Sequence, residues 1–344
     1  MLKKSDLKNS SFTIAEVGQN HQGDLDLARE YIRKFAEAGA NAIKFQTRDN
    51  KYLFAESAYE KIYNSENAFA ETYGMHREKL ELNPDDLLTL KGDCEENGVK
   101  FMSTPFDEPS LDLICDIGVD IIKIASFDLG NLPLINRIAK KGIPVVISIG
   151  GGKIDQIRES VKVLEGHLEE IAILHCVSEY PCKIDRLGLD NIEKLINEFP
   201  GHSIGLSDHF NGIVSGPIAY MKGARVFEKH VTLNRAWRGS DHSFSLERQG
   251  FRRFVRDINR VPRMMKQKPE NELGKEPVFQ KLGKSLVANQ NLKKGDQLTL
   301  ENLSGKIFDE QHIPVRLSCS VLGKKLIKDV SRGDPIQFSL IEES

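Results

Sequence analysis

Eight short runs of apolar, often β-branched residues punctuate the chain at 12–17, 42–45, 100–103, 121–125, 144–149, 171–177, 203–206 and 225–231. Their apolar character is nearly continuous rather than alternating, as expected of strands covered on both faces. Between them apolar positions recur at helical spacing, in 25–38, 84–97, 109–116, 132–141, 155–164, 189–199 and 213–222. Several of these segments open with Asp, Asn or Pro and close near Gly, as helix ends do. Strand then helix, eight times over, predicts a (β/α)8 TIM barrel. A doubly wound sheet is the alternative for alternating β and α, but it calls for a glycine-rich dinucleotide turn. Here each run ends instead in polar groups, such as Ile14-Ala15-Glu16, Lys44-Phe45-Gln46, Ser207-Asp208-His209 and Glu228-Lys229-His230.

Departures from the alternation define the rest of the layout. The connection over 48–82 is long for a strand-to-helix loop, and such a loop on this face of a barrel shapes or covers the pocket. Residues 247–268 predict a last, basic amphipathic helix; 269–282, polar with two prolines, predict a linker. Beyond it Gly283-Lys284-Ser285-Leu286-Val287 leading to Lys294-Gly295-Asp296 repeats as Gly323-Lys324-Lys325-Leu326-Ile327 leading to Arg332-Gly333-Asp334. The expected domains are therefore a barrel over 1–268 and a small pseudo-twofold β-rich module over 283–344.

With 40% hydrophobic residues, 28% charged residues and a net charge of -2, the chain has no polyanion-binding bias, so nucleic acid is not an expected partner. No stretch reads as a membrane span, and the polar start Met1-Leu2-Lys3-Lys4-Ser5-Asp6 does not read as a signal peptide, so a cytoplasmic location is expected. Cys94, Cys115, Cys176, Cys182 and Cys319 are scattered and odd in number, which predicts reduced thiols rather than a disulfide framework.

Alternate residues of a strand share a side, so Lys44 with Gln46, Ser207 with His209, and Glu228 with His230 each present two groups to one space. His209 and His230 end the last two strands, which are neighbours, and can approach one divalent ion. Either histidine alone reads as a hydrogen-bonded loop residue; the matched pair favours metal. Lys44 and Lys123 sit in apolar strands, where an ammonium is costly unless paired with a carboxylate or an anionic ligand. For Lys123 the pairing alternatives are Glu16 and Asp128, and a third possibility is a Schiff base with a carbonyl substrate. Hydroxyls at Ser103, Thr104, Ser126, Ser148, Ser178 and Ser207, with Gly150-Gly151-Gly152, suit phosphate and carboxylate.

These residues carry a family resemblance. Ile14-Ala15-Glu16-Val17-Gly18-Gln19-Asn20-His21-Gln22-Gly23, Lys44-Phe45-Gln46, Ser103-Thr104-Pro105-Phe106, Lys123-Ile124-Ala125-Ser126, Leu174-His175-Cys176 with Tyr180-Pro181, Gly205-Leu206-Ser207-Asp208-His209 and Glu228-Lys229-His230 resemble the sialic acid synthase family, including its legionaminate and pseudaminate branches. The repeat module resembles that family's C-terminal antifreeze-like (SAF) domain, so the match spans nearly the whole chain.

The resemblance implies condensation of phosphoenolpyruvate with the open-chain aldehyde of an N-acetylmannosamine-like sugar, giving a nonulosonic acid and phosphate, with a domain-swapped homodimer as the assembly. His209 and His230 would hold Mn2+ or Mg2+. Lys44, Thr104, Lys123, Ser126, Ser148, Ser178 and Ser207 would grip carboxylate and phosphate; Gln46, Tyr180, Glu228 and Asp241 would meet the sugar. Asp128, with Glu16 as second candidate, would orient water or move a proton. The family's Arg-Pro-Gly segment of the SAF domain is missing: Gly305-Lys306-Ile307-Phe308-Asp309-Glu310 stands there, so Arg316 or Lys306 would have to substitute. A 2,4-diacetamido-trideoxyhexose acceptor, a Schiff-base aldolase and a non-catalytic sugar-binding barrel stay open as alternatives.

Overall fold

The computed structural model describes residues 1–342. Eight parallel strands close into a barrel in sequence order: β1 (Phe12–Gly18), β2 (Ala42–Thr47), β3 (Lys100–Pro105), β4 (Ile121–Ile124), β5 (Val145–Ser148), β6 (Ile171–Cys176), β7 (Ser203–Asp208) and β8 (Val226–His230). The TIM barrel is thus observed and the doubly wound sheet is not. The connecting helices begin where the sequence marks them. Asp24 accepts from Leu27 N, Asn83 and Asp86 form a reciprocal capping box behind Pro84, and Asp107 accepts from Ser110 N ahead of Pro109.

Outward strand residues such as Ala15, Phe45, Phe101 and Phe227 pack against helix residues including Tyr31, Phe35, Phe251 and Phe254, all fully buried. Each such phenylalanine side chain contributes roughly 1.5–3 kcal/mol. Inward residues of the lower half form a second core of Ile14, Ala42, Met102, Ile121, Val146, Ala172, Leu174 and Val226, closed below by Leu2 and Leu7 from the chain's start. Gly205 belongs to this crowded interior: a Cβ there would stand 2.0 Å from the Val226 carbonyl oxygen, so only glycine lets β7 approach β8 this closely.

Three stretches differ from expectation. The long connection carries short helices, Asn50–Leu53, Glu56–Tyr59 and Tyr73–Glu78, and an Ile62–Thr72 bridge, because its aromatic residues Phe54, Tyr63, Tyr73 and His76 pack on one another. The last barrel helix runs Arg248–Met264, shorter than 247–268. The expected linker is not plain coil: it holds a 3-10 turn, Glu270–Glu272, and a helix, Pro277–Leu282, that starts on a proline whose fixed φ suits a first helical position.

The chain divides into two compact units, Met1–Met265 and Lys266–Ser344, and the expected linker falls within the second. That unit is β-rich, with β9 (Ser285–Ala288) antiparallel to β10 (Leu303–Lys306). Its two repeats meet through reciprocal bonds, Leu292 N to Val330 O and Val330 N to Leu292 O, each 2.9 Å. Each repeat turns on a left-handed glycine, Gly295 (φ 92°) and Gly333 (φ 90°). Among the described residues no helix is long and apolar enough to cross a membrane.

Candidate active site at the barrel mouth

Above the apolar floor the inward strand positions turn polar, and their side chains line one cavity at the C-terminal ends of the strands. Lys44 Nζ lies 2.8 Å from Glu16 Oε2 and 3.7 Å from Glu228 Oε2, and donates to Thr104 Oγ1 at 3.1 Å. Gln46 donates to Glu16 Oε1 (2.8 Å) and Ser207 to Glu228 Oε1 (3.0 Å). One ammonium thus stands between two buried carboxylates. Burial pushes the Glu16 carboxyl up, with Glu228's charge adding to the push against Lys44's pull. Burial opposes ionisation of Glu228 as well, yet Lys123, Lys44 and His230 together hold it down at about 2.

Lys123 is 3% exposed and its ammonium donates only to the Ile124 carbonyl, at 2.9 Å. No carboxylate among the described residues lies within ion-pairing distance of it, so the expected alternatives, Glu16 and Asp128, do not pair with it. Burial lowers its pKa, with Glu228 resisting. Ser126 and Ser148 line the same wall, and Ser148 Oγ is buried without a partner. The wall is a cationic, hydroxyl-rich recess of the kind that takes an anion.

Across the barrel, the His209 and His230 rings stand 5.3 Å apart between centroids. His209 Nδ1 is 2.8 Å from the Val177 carbonyl, which fixes that nitrogen as the donor and leaves Nε2 with its lone pair. His230 Nδ1 is buried and unpartnered, 3.7 Å from Asp241 Oδ2. Tyr180 covers the pair, its ring 4.1 Å from that of His209. Among the described residues no group of three or more His, Cys, Asp or Glu side chains encloses an ion site, so the mouth offers two imidazoles with a carboxylate beside them.

Glu16, Lys44, Gln46, Thr104, Lys123, Ser126, Ser148, Tyr180, Ser207, His209, Glu228, His230 and Asp241 therefore share one cavity. Three expected residues do not: Ser103 lies off the cavity, its hydroxyl 2.8 Å from Thr47 Oγ1. Asp128 is held in the 3-10 turn Ser126–Asp128 and accepts from Asn131 at 3.0 Å, and Ser178 opens on a neighbouring recess with Gly151 and Gly152. The lining also includes Gln19, Phe106 and Cys176, which the motifs contained without an assigned role, and Arg48 and Arg77, which lie outside them. Arg48 carried a signal, since it continues the inward series Lys44, Gln46; Arg77 had none, because the long connection has no periodicity to follow.

The model of the NeuB family matches residues 31–270 of this chain. The chain belongs to the NeuB family. Its relatives include N-acetylneuraminate-9-phosphate synthase of Homo sapiens, 35% identical over 96% of this chain and 92% of that protein, and N,N'-diacetyllegionaminic acid synthase of Legionella pneumophila, 31% identical over 96% and 94%. Among solved structures, N-acetylneuraminic acid synthetase of Leptospira borgpetersenii in complex with citrate superposes with a TM-score of 0.68 at 32% identity, covering 80% of this chain and 93% of that one. Membership in the NeuB family thus rests on the barrel from its first helix onward, strands β2 to β8 included.

Proposed function

We propose that this nonulosonic acid synthase joins phosphoenolpyruvate to the open-chain aldehyde of an N-acylated hexosamine of the N-acetylmannosamine type. The observation that carries this reading is Lys123: a fully buried ammonium with no carboxylate partner, facing Lys44, Thr104, Ser126 and Ser148. Such a recess is matched to a small molecule with a carboxylate and a phosphate. In the reaction C3 of the enol forms a bond to the aldehyde carbon, water adds at C2, and phosphate leaves from C2 with the former bridging oxygen. No enzyme nucleophile is needed, so Lys123 is a binding cation rather than an imine former.

The fit of a divalent ion is supported by the unpartnered His230 Nδ1 and the free Nε2 of His209. His209 and His230, with Asp241 beside them, would hold Mn2+ or Mg2+, which supplies Lewis acidity toward the aldehyde oxygen and a template for the acceptor. Glu16, whose carboxyl burial pushes up, would donate a proton to that oxygen as it becomes a hydroxyl. Asp128 would act on this centre only through Asn131 and its turn. Tyr180, Gln46, Glu228 and Asp241 would position the sugar. We read the second unit as an SAF domain, and a domain-swapped homodimer as the working assembly, on the family resemblance.

The test is phosphate release from phosphoenolpyruvate with N-acetylmannosamine or a 2,4-diacetamido-trideoxyhexose, each with Mn2+ and with excess chelator. Metal-dependent release is expected, abolished in Lys123→Met. Borohydride trapping of a pyruvate adduct on Lys123 would overturn the condensation in favour of an imine aldolase.

A further inference from the structure

The last barrel helix, Arg248–Met264, takes no part in the reaction just described, yet it carries six arginines against one aspartate. Phe251, Phe254, Val255, Ile258 and Val261 recur at helical spacing and are buried in the barrel's outer core. That places Arg252, Arg256, Arg260 and Arg263 in one row on the opposite, exposed face, with Arg253 beside them. At about 1.5 Å per residue the row is roughly 16 Å long.

The row is nearly bare of counter-charge. Arg256 donates to both oxygens of Asp257, at 2.8 and 3.0 Å, and Arg260 Nη1 stands 4.0 Å from the same carboxylate. Those hydrogen bonds first, then the charges of Arg260 and Arg253, hold the Asp257 carboxyl below its usual range against slight burial. Among the described residues no carboxylate lies within ion-pairing distance of Arg252, Arg253 or Arg263. The chain as a whole stands at -2, so attraction for an anion is local to this face. At the far end of the row Met264 and Met265 are 77% and 62% exposed. Ser11 donates to Asn259 Oδ1 at 2.8 Å, which puts this end of the helix beside the start of β1, below the floor of the barrel. None of these residues lines the cavity at the mouth.

Arginines without counter-ions suit phosphate oxygens, to which a guanidinium presents paired donors. Two bare methionines need the opposite, an apolar environment. A bilayer of acidic lipid offers both within a small depth, headgroup phosphates for the row and the acyl boundary for the thioethers. A nucleic acid offers phosphates alone, and this helix exposes no aromatic ring on which a base could stack. We propose that this face docks the protein on an anionic membrane surface, with Arg252, Arg253, Arg256, Arg260 and Arg263 on lipid phosphates and Met264 and Met265 dipping into the interface. The contact is peripheral and reversible. Because the cavity opens at the other end of the strands, docked and free protein turn over alike.

The experiment is co-sedimentation of the full chain with vesicles of equal parts phosphatidylglycerol and phosphatidylcholine, and of phosphatidylcholine alone, at about 0.1 M and about 0.5 M salt. Partition onto the acidic vesicles is expected to exceed that onto neutral ones about 100-fold or more, and to fall steeply at the higher salt. Arg252→Gln, Arg260→Gln and Arg263→Gln combined should cut it on the order of 100-fold. Met264→Ser with Met265→Ser should cut it about tenfold. Both variants should keep the wild-type thermal midpoint and rate of phosphate release, which separates a lost surface from a lost fold. No binding to acidic vesicles, equal partition onto the two kinds, or full binding by the arginine variant would overturn the proposal. Displacement from the vesicles by duplex DNA at equal phosphate concentration would overturn it as well, and would make the row a nucleic-acid contact.

Discussion

The floor and the mouth of the barrel are built from the same eight strands, a few residues apart, and differ in almost every physical respect. At the floor, inward Ile14, Met102, Ile121, Val146 and Val226 pack to closure under Leu2 and Leu7. At the mouth, the next inward positions are Glu16, Thr104, Lys123, Ser148 and Glu228, and buried polar atoms of Ser148, Glu228 and His230 have no hydrogen-bond partner. Unpartnered buried polar atoms destabilise a fold by about 1–3 kcal/mol each, so the mouth is held in place by structure elsewhere. The outward face of the same strand ends is instead fully satisfied. Asp208 accepts from Lys229 (2.7 Å), Ser215 (2.5 Å) and Phe210 N (3.0 Å), bolting β7 to β8 directly behind the two histidines. Asp208 and Lys229, which serve the fold, are paired, whereas Ser148, Glu228 and His230 keep unpartnered atoms on residues that line the cavity.

The sharpest way to break this contrast is at the mouth. His230→Ala should lower the rate of phosphate release on the order of 10^3-fold while leaving the thermal midpoint unchanged or raised. A midpoint that drops with the rate would make His230 a structural residue. Behind the mouth the outcome should invert: Lys229→Ala strands the Asp208 carboxylate in the protein and should cost about 3–5 kcal/mol in urea unfolding. Loss below about 1 kcal/mol would mean that the pair bolts nothing.

On the floor, Met102→Ala should cost about 2–5 kcal/mol with kcat changed little, since the residue is fully buried in the apolar floor and does not line the cavity. A large fall in kcat at preserved stability would join floor and mouth into one functional body. The smallest effect lies in pH. Burial lowers the His21 pKa from 6.5 to about 4, and its Nε2 has no partner. The unfolded chain therefore takes up this proton first. The contribution of neutral His21 is complete above about pH 6.5 and is lost as pH falls toward 4, so stability should drop by roughly 1–3 kcal/mol between pH 7 and pH 4.5. His21→Gln should flatten that slope; an unchanged slope would assign it to other groups.

Much of this molecule was legible in order along the chain. Strand periodicity placed Lys44 with Gln46 and Glu228 with His230 on one side, and the eightfold alternation brought the eight strand ends to one mouth, because both rules are local. The same periodicity stops at the strand ends, and there the reading failed. It put Ser178 and Asp128 in the cavity, although the loop after β6 turns Ser178 to a neighbouring recess and the turn after β4 ties Asp128 to Asn131.

The sequence by itself thus determined the barrel, its polar rim and the histidine pair. Alternation, helix caps and the chemistry of strand ends are properties of neighbouring residues. Only the tertiary structure decided that Lys123 has no carboxylate partner, that Asp208 and Lys229 face each other outside the barrel, and that Arg77 reaches the cavity from the long connection. Those are distances between residues far apart in the chain, set by how loops pack on a closed barrel.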